Sequence, residues 1–62
     1  DPKTLTIDMA ALEFIDSAAL GMLLLARDEA SKISVDVRIR GAQGQVERVL
    51  DVARFKTLFE FI

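Results

Sequence analysis

The chain has no cysteine and no histidine. It therefore has no disulfide staple, no imidazole base, no thiol nucleophile and none of the usual zinc, copper or haem ligands. Most familiar active sites are excluded at once. Charge of one sign is also scarce: eight basic against ten acidic side chains leave a net charge of −2, which is not the footprint of a protein held to nucleic acid by counterion release. Long hydrophobic runs are missing too. The longest, Met9 to Leu12 and Met22 to Ala26, fall far short of the roughly 20 residues a membrane span needs. No basic-then-apolar leader opens the chain, and a soluble, cytoplasmic protein is expected.

What is present argues for a packed fold. Of the 62 residues, 52% are apolar and 29% charged, too hydrophobic and too evenly charged for a disordered chain. Yet a domain of about 60 residues buries only about 60% of its unfolded surface. Without disulfide or metal, its core must be well made or completed by another chain. The first residue is Asp1 rather than Met, so a processed or excised segment of a larger domain is expected. There are no repeats, linkers or low-complexity stretches.

Periodicity sets out the elements. Lys3 to Asp8 alternates with β-branched residues dominating, a short strand with one inward face. Leu12, Phe14 and Ile15 form a second apolar patch around Glu13. Asp16-Ser17 then places two good N-cap residues before an apolar run, so a helix is expected from Ser17 to about Ser31. Ile33, Val35, Val37 and Ile39 alternate with Ser34, Asp36, Arg38 and Arg40, a strand with one wet face that Gly41 stops. From Gln43 to Ala53, Val46, Val49, Leu50 and Ala53 recur at helical spacing. The tail from Phe55 to Ile62 reads as a turn and a last strand, with a helix as the alternative. Strand–helix–strand units build parallel sheets with right-handed crossovers, giving an α/β half-layer, β-α-β-α-β, with both helices on one face. The other face is left to solvent or to something outside these residues.

The segment Leu12-Glu13-Phe14-Ile15-Asp16-Ser17-Ala18-Ala19-Leu20-Gly21 carries the chemistry. A strand end delivers Asp16 and Ser17 to the first turn of a helix, where unpaired N–H groups and the helix dipole favour an anion, so a phosphate on Ser17 would be well placed. The bland alternative is that Asp16 or Ser17 is simply the cap. At about 100° per residue, Ala19, Met22, Leu23, Ala26 and Ala30 share one arc, the expected core face. Leu24 and Leu25 share the opposite arc with Ser17, Gly21 and Asp28. That arrangement fits a partner-binding surface of Asp16, Ser17, Gly21, Leu24, Leu25 and Asp28; packing of a leucine under a missing element or the tail is the competing explanation. A metal held by Asp8 and Asp16 is a further alternative, although two carboxylates on successive segments are common.

These residues resemble the STAS domain, found in anti-sigma factor antagonists and in sulphate-transporter tails. The resemblance rests on a strand ending in Ile7-Asp8, the Asp16-Ser17-Ala18-Ala19-Leu20-Gly21 run and the Leu-rich helix after it. Val46-Glu47-Arg48-Val49-Leu50 and Phe55-Lys56-Thr57-Leu58-Phe59 look like the last helix and closing turn of the family. It covers nearly the whole chain but not the whole family domain, which begins with further strands and a helix. Residues 1–62 are thus expected to form a single partial STAS domain, its C-terminal portion. Such a piece could form a homo-oligomer or exchange elements with another copy to bury its open sheet face.

The resemblance implies a bacterial protein-binding switch in transcription regulation, without metal or cofactor. In the antagonist branch the serine at the position of Ser17 is phosphorylated by an anti-sigma factor that is also a kinase, and a PP2C-type phosphatase reverses it. Asp16 caps the helix, orients the hydroxyl or contacts the kinase. The unmodified form binds the anti-sigma factor and the phosphorylated form releases it. Ala18 and Ala19 stand where many antagonists carry Ser or Gly, leaving room for an unphosphorylated STAS adaptor of a lipid or anion transport system. An enzyme is disfavoured, because Asp8, Asp16 and Ser17 lack a base and an electrophilic clamp.

Overall fold

The computed structural model describes residues 3–62. Strand β1 (Lys3–Asp8) is followed by helix α1 (Ser17–Lys32), strand β2 (Val35–Arg40), helix α2 (Gly44–Val52), a 3-10 turn (Phe55–Thr57) and the two-residue strand β3 (Glu60–Phe61). The sheet order is β1-β2-β3 and both pairings are parallel. Two successive crossovers that step the same way across a sheet, each right-handed, put α1 and α2 on one face. The expected β-α-β-α-β half-layer is what forms.

The pairing register sorts the side chains. Leu5 lies beside Val37, Ile7 beside Ile39 and Ile39 beside Phe61, so these share the helix-covered face, where Val37 and Ile39 are buried. Thr4, Thr6 and Asp8 lie beside Asp36, Arg38 and Arg40, and Arg38 beside Glu60, so the open face is polar. There Arg40 Nη2 reaches Asp8 Oδ2 at 3.0 Å. Arg38 Nε lies 2.7 Å from Glu60 Oε1, a coulombic pair whose N–H is not aligned for a hydrogen bond. A face so charged is suited to water.

The core lies between sheet and helices. Ile39, Val46 and Leu50 are fully buried, with Leu23 and Ala30 from α1 and Phe55 and Phe59 from the tail closing around them. The stacked rings of Phe55 and Phe59, 5.4 Å apart, extend this core to the chain end. Phe61 is half-buried against it. In α2 the stripe of Val46, Val49 and Leu50 faces inward as its spacing requires, while Ala53 caps the helix and is exposed.

Two expectations about boundaries and faces are corrected. Ile33 does not open β2: its N–H bonds back to Ala30 O at 3.1 Å and it closes α1, 72% exposed. Ser34, in a left-handed conformation with φ 59°, turns the chain, and the strand begins only at Val35. Met22 is not a core residue but 71% exposed. Helix α1 meets the sheet along a narrow stripe of Leu23 and Ala30, flanked by half-buried Ala19, Leu20 and Ala26, and packs over β2. Met22, about 100° around the helix from Leu23, falls outside that stripe.

Candidate functional site

Residues 9–16 connect the C-terminal end of β1 to α1 and deliver the segment around Ser17. Two buried side chains, Met9 and Ile15, pin the loop to the core. Its backbone is tied at both ends. At the start, Met9 N–H donates to Arg40 O at 2.8 Å, prolonging the ladder by one bond, and Leu12 N–H donates to Met9 O at 3.0 Å. Asp8 Oδ1 accepts Ala10 N–H at 2.9 Å. That bond, then the hydrogen bond and charge of Arg40, hold the Asp8 carboxyl below its ordinary pKa against a smaller opposing effect of desolvation.

At the far end, Ile15 N–H donates to Gln45 Oε1 at 3.1 Å. Asp16 follows with extended backbone, φ −116° and ψ 176°, and its Oδ1 accepts Ala19 N–H at 2.9 Å. Asp16 is therefore the N-cap, and the choice between Asp16 and Ser17 is resolved. Ser17 is the first helical residue, exposed, and its hydroxyl makes no hydrogen bond with the described residues. No acidic side chain occupies the first turn of α1; the carboxylate that meets the positive end of the helix dipole is the Asp16 cap itself.

All six residues expected on a partner surface are exposed: Asp16, Ser17, Gly21, Leu24, Leu25 and Asp28. Leu24 is 42% and Leu25 66% exposed. From Ser17 the helical spacing carries Gly21, Leu24, Leu25 and Asp28 along one outward face. Sequence reasoning missed two apolar residues: Met22, on the flank beyond Leu25, and Phe14, three residues before Ser17 and 76% exposed. A largely exposed aromatic in a loop is a signal the apolar patch of Leu12, Phe14 and Ile15 concealed, because only Ile15 of the three is buried.

Sequence reasoning also missed the residues that hold the loop from across the sheet. Gln43 Nε2 donates to Ala10 O at 3.1 Å. Gly41, at φ 76°, backs so closely onto Ala10 that a Cβ there would lie 2.9 Å from the Ala10 Cβ. Asp8 and Asp16 do not act together: one carboxylate is engaged by Ala10 and Arg40, the other by Ala19. Among the described residues, no three of Asp, Glu, His and Cys cluster as a metal site would require. Away from Ser17, a cleft of about 420 Å³ opens between Arg27 and Ser31 of α1, the start of β2 and Leu58. Arg27 Nε donates to Leu58 O across it at 2.8 Å. None of the expected site residues lines it.

Among the described residues, no helix is long and apolar enough to cross a membrane. The family model of the STAS domain matches residues 1–62. A STAS-domain containing protein of Pseudomonas aeruginosa (strain UCBPP-PA14) is 32% identical over 59 residues, which is 95% of this chain and 58% of that protein. The chain thus spans a little over half the length of the curated relative it matches. No solved structure matches it. The motif around Asp16 and Ser17, the parallel α/β half-layer and the family match agree: this chain belongs to the STAS domain family.

Proposed function

We propose that this chain is the switch-bearing part of an anti-sigma factor antagonist, acting in the cytoplasm by binding alone. The observation that carries this reading is Ser17: an exposed hydroxyl with no bond to the described residues, at the first position of a helix whose outward face is apolar. In the unmodified state that face binds an anti-sigma factor with serine kinase activity, and the sigma factor is freed. The kinase then moves the terminal phosphoryl group of a nucleoside triphosphate to Ser17 Oγ; the hydroxyl proton passes to a kinase base and the diphosphate leaves. A PP2C-type phosphatase restores the serine by hydrolysis.

Magnitudes favour a switch that spares the fold. Burying what remains exposed of Leu24 and Leu25 against a partner contributes on the order of 1 kcal/mol each. A phosphoserine adds about −1.5 to −2 charge, and taking an ion out of water costs several kcal/mol. Within the isolated domain the same charge stays hydrated at a helix N-terminus, which favours it. Binding is lost while folding is kept. Gly21 supports the same face: a Cβ there would meet nothing within 4 Å, so packing within the domain gives no reason for a glycine that costs α1 about 1 kcal/mol relative to alanine. A flat surface for a partner gives one.

Ala18 and Ala19 favour a second reading, an unphosphorylated STAS adaptor of a lipid or anion transport system that uses the same face without modification. Peptide mapping by mass spectrometry across Glu13 to Arg27, on the intact protein from its native cells, separates the two. The antagonist reading expects phosphate on Ser17 under some growth condition, and expects Ser17→Ala to retain the anti-sigma factor while Ser17→Asp loses it. A clean peptide under all conditions, with transport subunits in the pull-down, establishes the adaptor.

A further inference from the structure

We propose that the start of α2 is the positioning element for Ser17, and that Gln45 is the positioning residue through which it acts. This rests on the reading of Ser17 as the modified residue. The loop of residues 9–16 has one internal backbone bond, Leu12 to Met9, near its beginning. Its last stretch, the part that aims Ser17, is held by the buried Ile15 side chain and by one backbone bond to a side chain 30 residues away. Gln45 Oε1 accepts the Ile15 N–H, immediately before the Asp16 cap, and Gln43 Nε2 reaches Ala10 O. Gln43 is the N-cap residue of α2, yet its side chain makes no bond to its own helix. Both glutamines at this helix start are spent on the loop of another helix.

The anchor is rigid where it must be. Gln45 is half-buried and adjoins Val46, which with Leu50 is fully buried. Gly41, with no Cβ, lets the chain entering α2 close onto Ala10. The chain of support therefore runs from the core through Val46 and Gln45 to Ile15, then Asp16, then Ser17. Phosphoryl transfer depends on placing the accepting oxygen to within about 1 Å, and displacement of that order costs up to about a hundredfold in rate. Asp16 fixes where α1 begins, and Gln45, acting with the buried Ile15 side chain, orients the backbone that carries Asp16. Gln45 need not touch kinase or nucleotide to control the transfer.

The test uses the intact protein with Gln45→Leu, which cannot accept the Ile15 N–H, and Gln45→Glu, whose carboxylate can. The readouts are the initial rate of phosphate incorporation into Ser17 from MgATP in an extract of the native cells, the amide exchange of Ile15 and Ala19, which are bonded to Gln45 and Asp16, and the thermal midpoint. The expected result is a rate reduced about tenfold or more in Gln45→Leu, with faster exchange at both amides, a midpoint lowered by only the several degrees that one lost hydrogen bond costs, and recovery of the rate in Gln45→Glu. An undiminished rate in Gln45→Leu overturns the proposal. So does an equal fall in both variants that follows the thermal midpoint, which marks a merely structural role. If the wild-type protein takes no phosphate, the modification of Ser17 fails and the exchange readout decides positioning alone: faster exchange at the Ala19 amide, which the Asp16 cap holds, in Gln45→Leu, restored in Gln45→Glu, sustains it, and unchanged exchange overturns it.

Discussion

The Asp16 carboxylate accepts the Ala19 amide N–H at 2.9 Å, so the residue beside Ser17 is committed to the helix end and the Ser17 hydroxyl is not. The division of labour explains why an Asp-Ser pair, rather than a single capping residue, precedes the apolar run. With the capping duty on Asp16, Ser17 can be modified without uncapping α1. A serine in the Asp16 position would lose its cap on phosphorylation or compete with it.

Asp16→Ala is expected to lower the stability of the domain by about 1 kcal/mol, and Asp16→Asn by much less, since the amide oxygen still accepts the N3 amide. Ser17→Ala, one residue on, is expected to leave the urea midpoint almost unchanged. Equilibrium urea unfolding of the three variants checks this. Equal losses at positions 16 and 17 would show that the cap is shared, and the separation of roles would fall.

The glycines give a paired expectation with opposite signs. At Gly41 the backbone is left-handed, φ 76°, and an added Cβ would approach the Ala10 Cβ to 2.9 Å, the Ala10 nitrogen to 3.1 Å and its Cα to 3.2 Å. Gly41→Ala should therefore destabilise by about 1–3 kcal/mol, since it adds both a strained conformation and a clash. At Gly21, in mid-helix with open space around it, Gly21→Ala should stabilise by about 0.5–1 kcal/mol. Thermal unfolding reads both. On the proposed partner face, the stabilised Gly21→Ala variant should bind its anti-sigma factor more weakly.

Much of this was legible in the sequence, and the misses have physical causes. The strand Lys3–Asp8 and the start of α1 at Ser17 were readable because alternation and capping are local signals. Ile33 continued the alternation of β2 perfectly and still fell outside it, because a left-handed residue at Ser34 turns the chain after α1 has closed. Met22 could not be assigned by period. From Ala18 to Ala26 helix α1 is apolar on every side, so only the narrowness of its contact with β2 decides which residues are covered. The exposure of Leu24 and Leu25 was legible because they oppose the core stripe. Gln43 and Gln45 were not: their partners lie 33 and 30 residues away, and nothing about a glutamine near a helix start distinguishes a side chain that reaches another loop from one that is merely solvated.

The depressed pKa of Asp8 gives a pH dependence whose sign can be worked out. Its carboxyl is lowered first by the Ala10 N–H and then by the bond and charge of Arg40. A carboxyl lowered on folding contributes stability that is fully present above its unfolded pKa, about 3.9, and is lost as pH falls through the folded value. Asp8→Asn keeps an oxygen for the Ala10 N–H but removes the charge facing Arg40. Wild type should therefore be more stable than Asp8→Asn by a constant amount above roughly pH 5, with the difference shrinking as the pH falls below about 4. Because the carboxylate is exposed, the effect is small and should fade in high salt. Urea midpoints measured from pH 2 to 7 test it, and an NMR titration of Arg40→Gln should show the Asp8 pKa rising toward its ordinary value. A stability difference that stays flat across that range would mean the Asp8–Arg40 pair contributes nothing to holding β1 in register with β2, leaving that task to the backbone ladder and the apolar pairs Leu5–Val37 and Ile7–Ile39.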